Sequence, residues 1–228
     1  MSKFTTVFVD ADETLYDFHR GEREALKNTL SKLDIGWKEQ FSQTYKEENK
    51  KVWLLYEGGE ITRDKMKVKR FENFFLREGL TVTTPLEIVN DTYINHLSQC
   101  GYLFDGAYDF VKKLTSVAKV YITTNGLAKT QNSRFRISGL DKVVDGIFTS
   151  EIIGFSKPSK EYFEHIFKQL DITDKSKVII LGDSLTSDMQ GGKNAGITTC
   201  LYDPYCKVKE HSLCDYIINN FDKFFEII

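Results

Sequence analysis

The chain has 228 residues, 41% hydrophobic and 28% charged, with 31 Lys and Arg against 33 Asp and Glu for a net charge of -2. That length suits one large domain or a domain carrying an insert, and the apolar share is enough for an ordinary packed core. The near-neutral balance leaves no electrostatic footprint for a nucleic acid polymer or a membrane surface, and no apolar run approaches the roughly 20 residues of a spanning helix.

The four cysteines, Cys100, Cys200, Cys206 and Cys214, match no zinc spacing and no CxxC, so they read as reduced thiols. The histidines His19, His96, His165 and His211 are scattered without an i, i+4 pair. A metal in this chain is therefore expected on oxygen ligands. The N-terminus runs straight from Met-Ser-Lys-Phe-Thr-Thr into an apolar stretch, with no room for a signal peptide, and a cytoplasmic location is the expectation.

Phe4 to Val9 is a short apolar run that ends abruptly in Asp10 and Asp12, with Thr14 two residues on. Such a run, bounded by polar residues, predicts a buried strand of a parallel sheet. Ligands of open α/β sheets bind just beyond the carboxyl ends of such strands. Two acids one residue apart at that place can divide into a nucleophile or metal ligand and a proton donor. They can equally be turn formers after a strand.

From about His19 to Cys100 helical periodicity takes over. Ala25, Leu26 and Leu30 among charged neighbours predict an amphipathic helix ending near Asp34-Ile35-Gly36. A second covers Lys38 to Tyr56 and stops at Gly58-Gly59. Thr62 is placed as the N-cap of a third, which runs to Glu78 with Phe71, Phe74 and Phe75 as core. The same helix carries Lys65, Lys67, Lys69 and Arg70, either a solvated face or a basic lip for a phosphorylated substrate. A fourth begins at Thr84-Pro85, with Pro at the first helical position, and ends near Gly101.

From Tyr102 strands and helices alternate. Strands are predicted at Val120–Thr123, Gly146–Thr149, Val178–Leu181, Ile197–Leu201 and Tyr216–Ile218. Helices are predicted at Asp109–Val117, Ala128–Ser138, Ser159–Leu170 and Met189–Ala195, with a last one through Phe224. The fold expected is α/β, a doubly wound parallel sheet, with residues 1–17 and 101–228 as the core domain and residues 18–100 as a helical insert. An insert just after the first strand is placed to act as a lid over the sheet edge.

Four polar clusters fall at that edge: Asp10 and Asp12; Thr124-Asn125-Gly126; Lys157-Pro158; and Gly182-Asp183-Ser184 with Asp188. Each alone could be a turn, a cap or an exposed lysine. Together they suit phosphoryl transfer, which needs an in-line nucleophile and neutralised charge. Asp10, Asp183 and Asp188 make a hard oxygen site suited to Mg²⁺. The Thr124 hydroxyl and nearby N–H groups can hydrogen-bond phosphoryl oxygens, and Lys157 can offset the crowding of negative charge.

In this order the clusters resemble the four-motif signature of the haloacid dehalogenase (HAD) superfamily across the whole chain. The resemblance implies a Rossmann-like core with an α-helical cap domain. It implies Asp10 as the nucleophile that forms an aspartyl-phosphate, and Asp12 as general acid/base and Mg²⁺ ligand through its backbone carbonyl. It implies Thr124, Asn125 and Lys157 around the phosphate, Lys157 in a catalytic role, and Asp183 and Asp188 at the metal, the latter through water.

Haloacid dehalogenases proper lack the second acid of the first motif, so Asp12 points to phosphomonoester hydrolysis. Gly59-Glu60-Ile61-Thr62-Arg63, Arg70-Phe71, Thr123–Leu127, Ser150-Glu151 and Gly191-Gly192 resemble YjjG/YfnB-type pyrimidine 5′-nucleotidases. The expected substrate is then a small-molecule phosphate monoester, a nucleotide first. A phosphatase or phosphomutase for sugar or other small phosphates is the alternative, and a non-enzymatic binding protein the third reading. Phe18, Trp53 and Tyr56 are candidates for a surface that stacks on a base; the bland alternative is that they are core of the insert.

Overall fold

A computed structural model describes residues 3–228. It divides into two compact units, Met1–Asp17 with Gly101–Ile228, and Phe18–Cys100.

The first unit is built on six parallel strands: β1 (Thr6–Val9), β2 (Lys119–Thr124), β3 (Gly146–Thr149), β4 (Val178–Gly182), β5 (Thr198–Tyr202) and β6 (Tyr216–Ile218). Their order is β3-β2-β1-β4-β5-β6, so the winding reverses beside β1, between β1 and β4. The register pairs Val9 with Ile122 on one side and with Leu181 on the other. The residues just past Val9, Thr123 and Leu181 therefore arrive together at one edge, where a switch point opens a crevice.

Both sheet faces are covered, which is why the strands are apolar throughout rather than alternating in polarity. Side-chain alternation still sorts them. Val7, Val9, Ile179 and Leu181 join one cluster with Phe110, Phe135 and Phe224. Phe8, Val178 and Ile180 join the other with Tyr162, Phe163 and Ile166. The covering helices are α5 (Ala107–Leu114), α6 (Ala128–Ser138), α8 (Lys160–Gln169) and α9 (Gln190–Ala195). Short α7 (Ser150–Ile153) follows β3 directly.

The second unit holds α1 (Phe18–Lys32), α2 (Gln40–Glu57), α3 (Arg63–Arg77) and α4 (Leu86–Leu97) around an aromatic-rich cluster. Phe71, Phe74 and Phe75 are buried in it, as their spacing requires. Thr62 caps α3, its side chain accepting from the Lys65 N–H at 3.3 Å. Pro85 stands one position earlier than expected. It is the cap of α4, held extended at ψ 136°, and Leu86 is the first helical residue.

Three further local expectations differ from the structure. The last helix is a 3₁₀ segment, Phe221–Glu226. The helix after β4 is preceded by a π-helical turn, Leu185–Met189. Such turns are frequent at functional sites, and no side-chain periodicity announces them. Arg70 does not belong to the basic face of α3. It is buried and donates to Asn90 Oδ1 at 2.5 Å, because it lies one helical turn from buried Met66 and Phe74. Of the remaining lysines, Lys67 pairs with Asp64 at 3.1 Å and Lys69 with Glu72 at 2.9 Å. Among the described residues no helix is long and apolar enough to cross a membrane.

Candidate active site

The chain leaves β1 at Asp10, whose N–H donates to the Leu181 carbonyl at 2.8 Å and continues the ladder one residue past the strand. It then folds back sharply. Glu13 takes φ 61°, Leu15 and Tyr16 N–H groups return to the Ala11 carbonyl, and Asp12 bridges Tyr16. A non-glycine residue in that left-handed region is uncommon and costs roughly 1 kcal/mol or more, a strain typical of functional loops.

Lys157 is the electrostatic pivot. Its ammonium is 1% exposed and gives its three hydrogens to Asp10 Oδ1 at 2.6 Å, Asp188 Oδ1 at 2.6 Å and the Thr123 carbonyl at 2.7 Å. Burial alone would lower its pKa, but the Asp10 and Asp188 carboxylates outweigh burial and raise it. Asn125 fixes the backbone of this lysine. Its amide donates to the Lys157 carbonyl at 2.9 Å and accepts from the Lys157 N–H at 2.9 Å.

One oxygen from each of Asp10, Asp183 and Asp188 lies within 4.8 Å of the others. Three carboxylates face one ammonium. Burial pushes Asp10 up to about 7, with Lys157 opposing the shift and Asp188 and Asp12 adding to it. Burial likewise lifts Asp183 well above the usual carboxylate range, helped by the charges of Asp10 and Asp188. Asp188 is satisfied by Lys157 and by the Ser184 N–H at 3.2 Å. No donor among the described residues reaches the Asp183 carboxylate. A carboxylate without a donor, set beside two others, fits a hard divalent cation that takes few carboxylates and keeps waters.

The phosphate-contacting group proposed by the sequence, Thr124, ends β2. Its hydroxyl accepts from the Gly126 N–H at 3.0 Å and from Gln131 Nε2 at 3.1 Å, which leaves its own hydrogen to donate. Thr14 Oγ1 donates to Asp10 Oδ2 at 3.4 Å. Asp12 is turned toward α6, where Arg134 Nη1 donates to its Oδ1 and Gln131 Nε2 to its Oδ2 at 2.7 Å. Sequence reasoning named neither Gln131 nor Arg134. The available signal was two long polar side chains three apart, on one face of the helix that follows the second motif.

Trp53 and Tyr56 are half-buried and pack edge to face, with ring centroids 5.7 Å apart. They are not part of the hydrophobic cluster of their unit, and Arg63 donates to the Tyr56 hydroxyl at 2.7 Å. Phe18 instead packs against that cluster.

Gly182 is required by close approach. A Cβ built there would overlap the Asp188 carboxyl, which Lys157 and the Ser184 N–H hold in place. Gly182→Ala is therefore expected to displace Asp188 and lower kcat by about 100-fold, the usual effect of misplacing a site by about 1 Å. Steady-state kinetics measures this, and a wild-type kcat would show that Asp188 tolerates the shift.

The model of the haloacid dehalogenase-like hydrolases matches residues 4–196. The HAD-type protein YfnB of Bacillus subtilis (strain 168) is 35% identical over 207 residues, 91% of this chain and 87% of its own. A crystal structure of YfnB bound to magnesium superposes over 99% of both chains with a TM-score of 0.92 and 32% identity. Pyrimidine 5′-nucleotidase YjjG of Escherichia coli (strain K12) is 32% identical over 87% of this chain and 85% of its own. Pyrimidine 5′-nucleotidase PynA of Streptococcus pneumoniae is 32% identical over 86% and 82%. A parallel sheet in this strand order, with its acids gathered at the switch point, and a family match along most of its length have one meaning: the chain is a hydrolase and belongs to the haloacid dehalogenase-like family.

Proposed function

We propose that the chain is a Mg²⁺-dependent phosphomonoester hydrolase that works through an aspartyl-phosphate on Asp10, with pyrimidine nucleoside 5′-monophosphates as substrates. The observation that carries the chemistry is the gathering of one oxygen each from Asp10, Asp183 and Asp188 within 4.8 Å of one another, with the buried Lys157 ammonium bonded to Asp10 and Asp188. The substrate class is supported by YjjG and PynA, both named as pyrimidine 5′-nucleotidases.

Asp10, the Asp12 carbonyl and Asp183 would hold the cation, with Asp188 acting through water. When bound, the cation neutralises phosphate charge and orients the ester. The remaining work falls to the chain. Asp10 attacks phosphorus, and Lys157 screens the approach of carboxylate to phosphate dianion. Thr124 donates to a phosphoryl oxygen. Asp12 protonates the departing alkoxide, then takes the proton of the water that cleaves the acyl phosphate. The helical insert, residues 18–100, is proposed as the cap domain that selects the leaving group. Trp53 and Tyr56 are proposed as its base-stacking surface, being half-buried aromatics that their own core leaves outside.

A panel of nucleoside monophosphates against sugar phosphates, run with Mg²⁺, tests the reading. The expected result is that kcat/KM for dUMP and dTMP exceeds that for any sugar phosphate by about tenfold or more, the scale of a pocket contact made by one substrate only. Turnover of sugar phosphates with none of dUMP or dTMP would overturn the nucleotidase assignment and leave the phosphatase one standing.

A further inference from the structure

Burying a guanidinium is costly unless a carboxylate and further contacts compensate for its lost hydration. Arg134 lies on α6 with its side chain 1% exposed, ion-paired to Asp12. Its guanidinium also stacks 4.4 Å over the ring of Tyr16. That ring is itself held edge to face against Phe135, and its hydroxyl meets Ser138 Oγ at 2.8 Å.

One turn earlier on the same face, the Gln131 amide nitrogen spends one hydrogen on Asp12 Oδ2 at 2.7 Å and the other on Thr124 Oγ1 at 3.1 Å. Its carbonyl oxygen accepts from Arg134 Nη1 at 3.3 Å. Gly126 makes room for this arrangement, since a Cβ there would overlap the Gln131 side chain. Both Asp12 oxygens are thus set by α6, in one network with the hydroxyl of Thr124.

We propose that Arg134 is the positioning residue for Asp12, holding its carboxylate in a single orientation for proton transfer, and that Gln131 couples this orientation to Thr124. The proposal rests on the assignment of Asp12 as general acid/base. In the first half-reaction the Asp10–phosphorus bond forms, the phosphorus–oxygen bond to the leaving group breaks, and the proton on Asp12 passes to the departing alkoxide. In the second, water oxygen bonds to phosphorus, the Asp10–phosphorus bond breaks, and a water proton returns to Asp12. A carboxyl oxygen has two lone pairs, so the Arg134 bond on Oδ1 is compatible with a proton on Oδ2, where the Gln131 N–H then yields its place. Arg134 acts through the Asp12 carboxyl that it bonds and takes no part in the bond changes at phosphorus.

The readout is leaving-group dependence. An alkoxide leaving group needs the Asp12 proton; p-nitrophenolate does not. Arg134→Met, near in volume and uncharged, is expected to raise the ratio of kcat/KM for p-nitrophenyl phosphate over that for dUMP by about 100-fold relative to wild type. It is also expected to produce a burst of nitrophenolate, because water activation slows and the phosphoenzyme accumulates. Arg134→Lys should recover part of the ratio.

Gln131→Met strands no charge and serves if Arg134→Met does not fold; it is expected to move the ratio the same way by about tenfold. Equal losses on both substrates without a burst, or no change on either, would overturn the proposal. Asp12→Asn separates the two levels. If it shifts the ratio and the Arg134 and Gln131 variants do not, positioning by α6 is wrong. If Asp12→Asn leaves the ratio unmoved, the acid/base assignment itself is wrong.

Discussion

Asp10→Asn is expected to lower kcat by on the order of 10⁴-fold or more while leaving the protein folded. The amide matches the carboxylate in shape, and its oxygen can still accept from Lys157, now held at 2.6 Å from Asp10. The fold therefore keeps its pivot, but the attacking group has lost its nucleophilic lone-pair charge. Stability should not fall. Burial raises Asp10 to about 7, so above that pH the native carboxylate is held ionised against its environment, next to Asp188 and Asp12. Neutralising it removes the cost of burying that charge and the repulsion from Asp188 and Asp12, while Lys157 keeps Asp188 as a charged partner at 2.6 Å. Melting in EDTA at pH 8 should be equal to or above wild type. Full turnover by Asp10→Asn, with Asp10→Ala also active, would remove Asp10 as nucleophile.

The residues that this prediction depends on were legible because parallel strands bring their carboxyl ends to one edge. Asp10 and Asp183 each follow an apolar run broken by turn-forming residues, and the pairing of Val9 with Leu181 turns that one-dimensional pattern into contact. Lys157 was visible for a different reason, standing before a proline at the head of a helix. What its sequence position did not reveal is that its charge is fully buried between two acids.

The residues missed lie on helices with weak or misread polarity. Gln131 and Arg134 are long polar side chains on α6, a helix whose other residues are also largely polar, and their burial is decided by Asp12, 119 and 122 positions away. Arg70 carried a signal that charge obscured. Met66, Arg70 and Phe74 recur every four residues along the buried stripe of α3, and Tyr93 offers its ring to the guanidinium at 4.9 Å. The pairing of the Asn125 side chain with the Lys157 backbone joins residues 32 positions apart, and only the fold creates it.

Removal of divalent cations is expected to abolish activity, by about 10³-fold or more if the cation supplies several kcal/mol of charge stabilisation, and to lower the melting temperature in a pH-dependent way. The sign follows from Asp10. Its ordinary value is 3.8 and its folded value about 7. Between those limits the folded chain keeps a proton that the unfolded chain has released, so in EDTA the contribution of this group to stability falls as pH rises from about 4 to about 7 and is lost above it. Asp183, raised in the same direction, adds to the trend. A divalent cation held by these acids would take the place of those protons, would bind more tightly as pH rises, and would stabilise only the folded state. The gap between melting temperatures with Mg²⁺ and with EDTA should therefore widen from pH 5 to pH 8. At 100 times Kd the stabilisation is about 2.7 kcal/mol, or roughly 5–10 °C for a chain of this size. Melting curves at matched ionic strength across that range measure it. A gap of zero at pH 8 would mean that Asp10, Asp183 and Asp188 hold no cation. A gap that narrows with rising pH would mean that the acids are not what binds it.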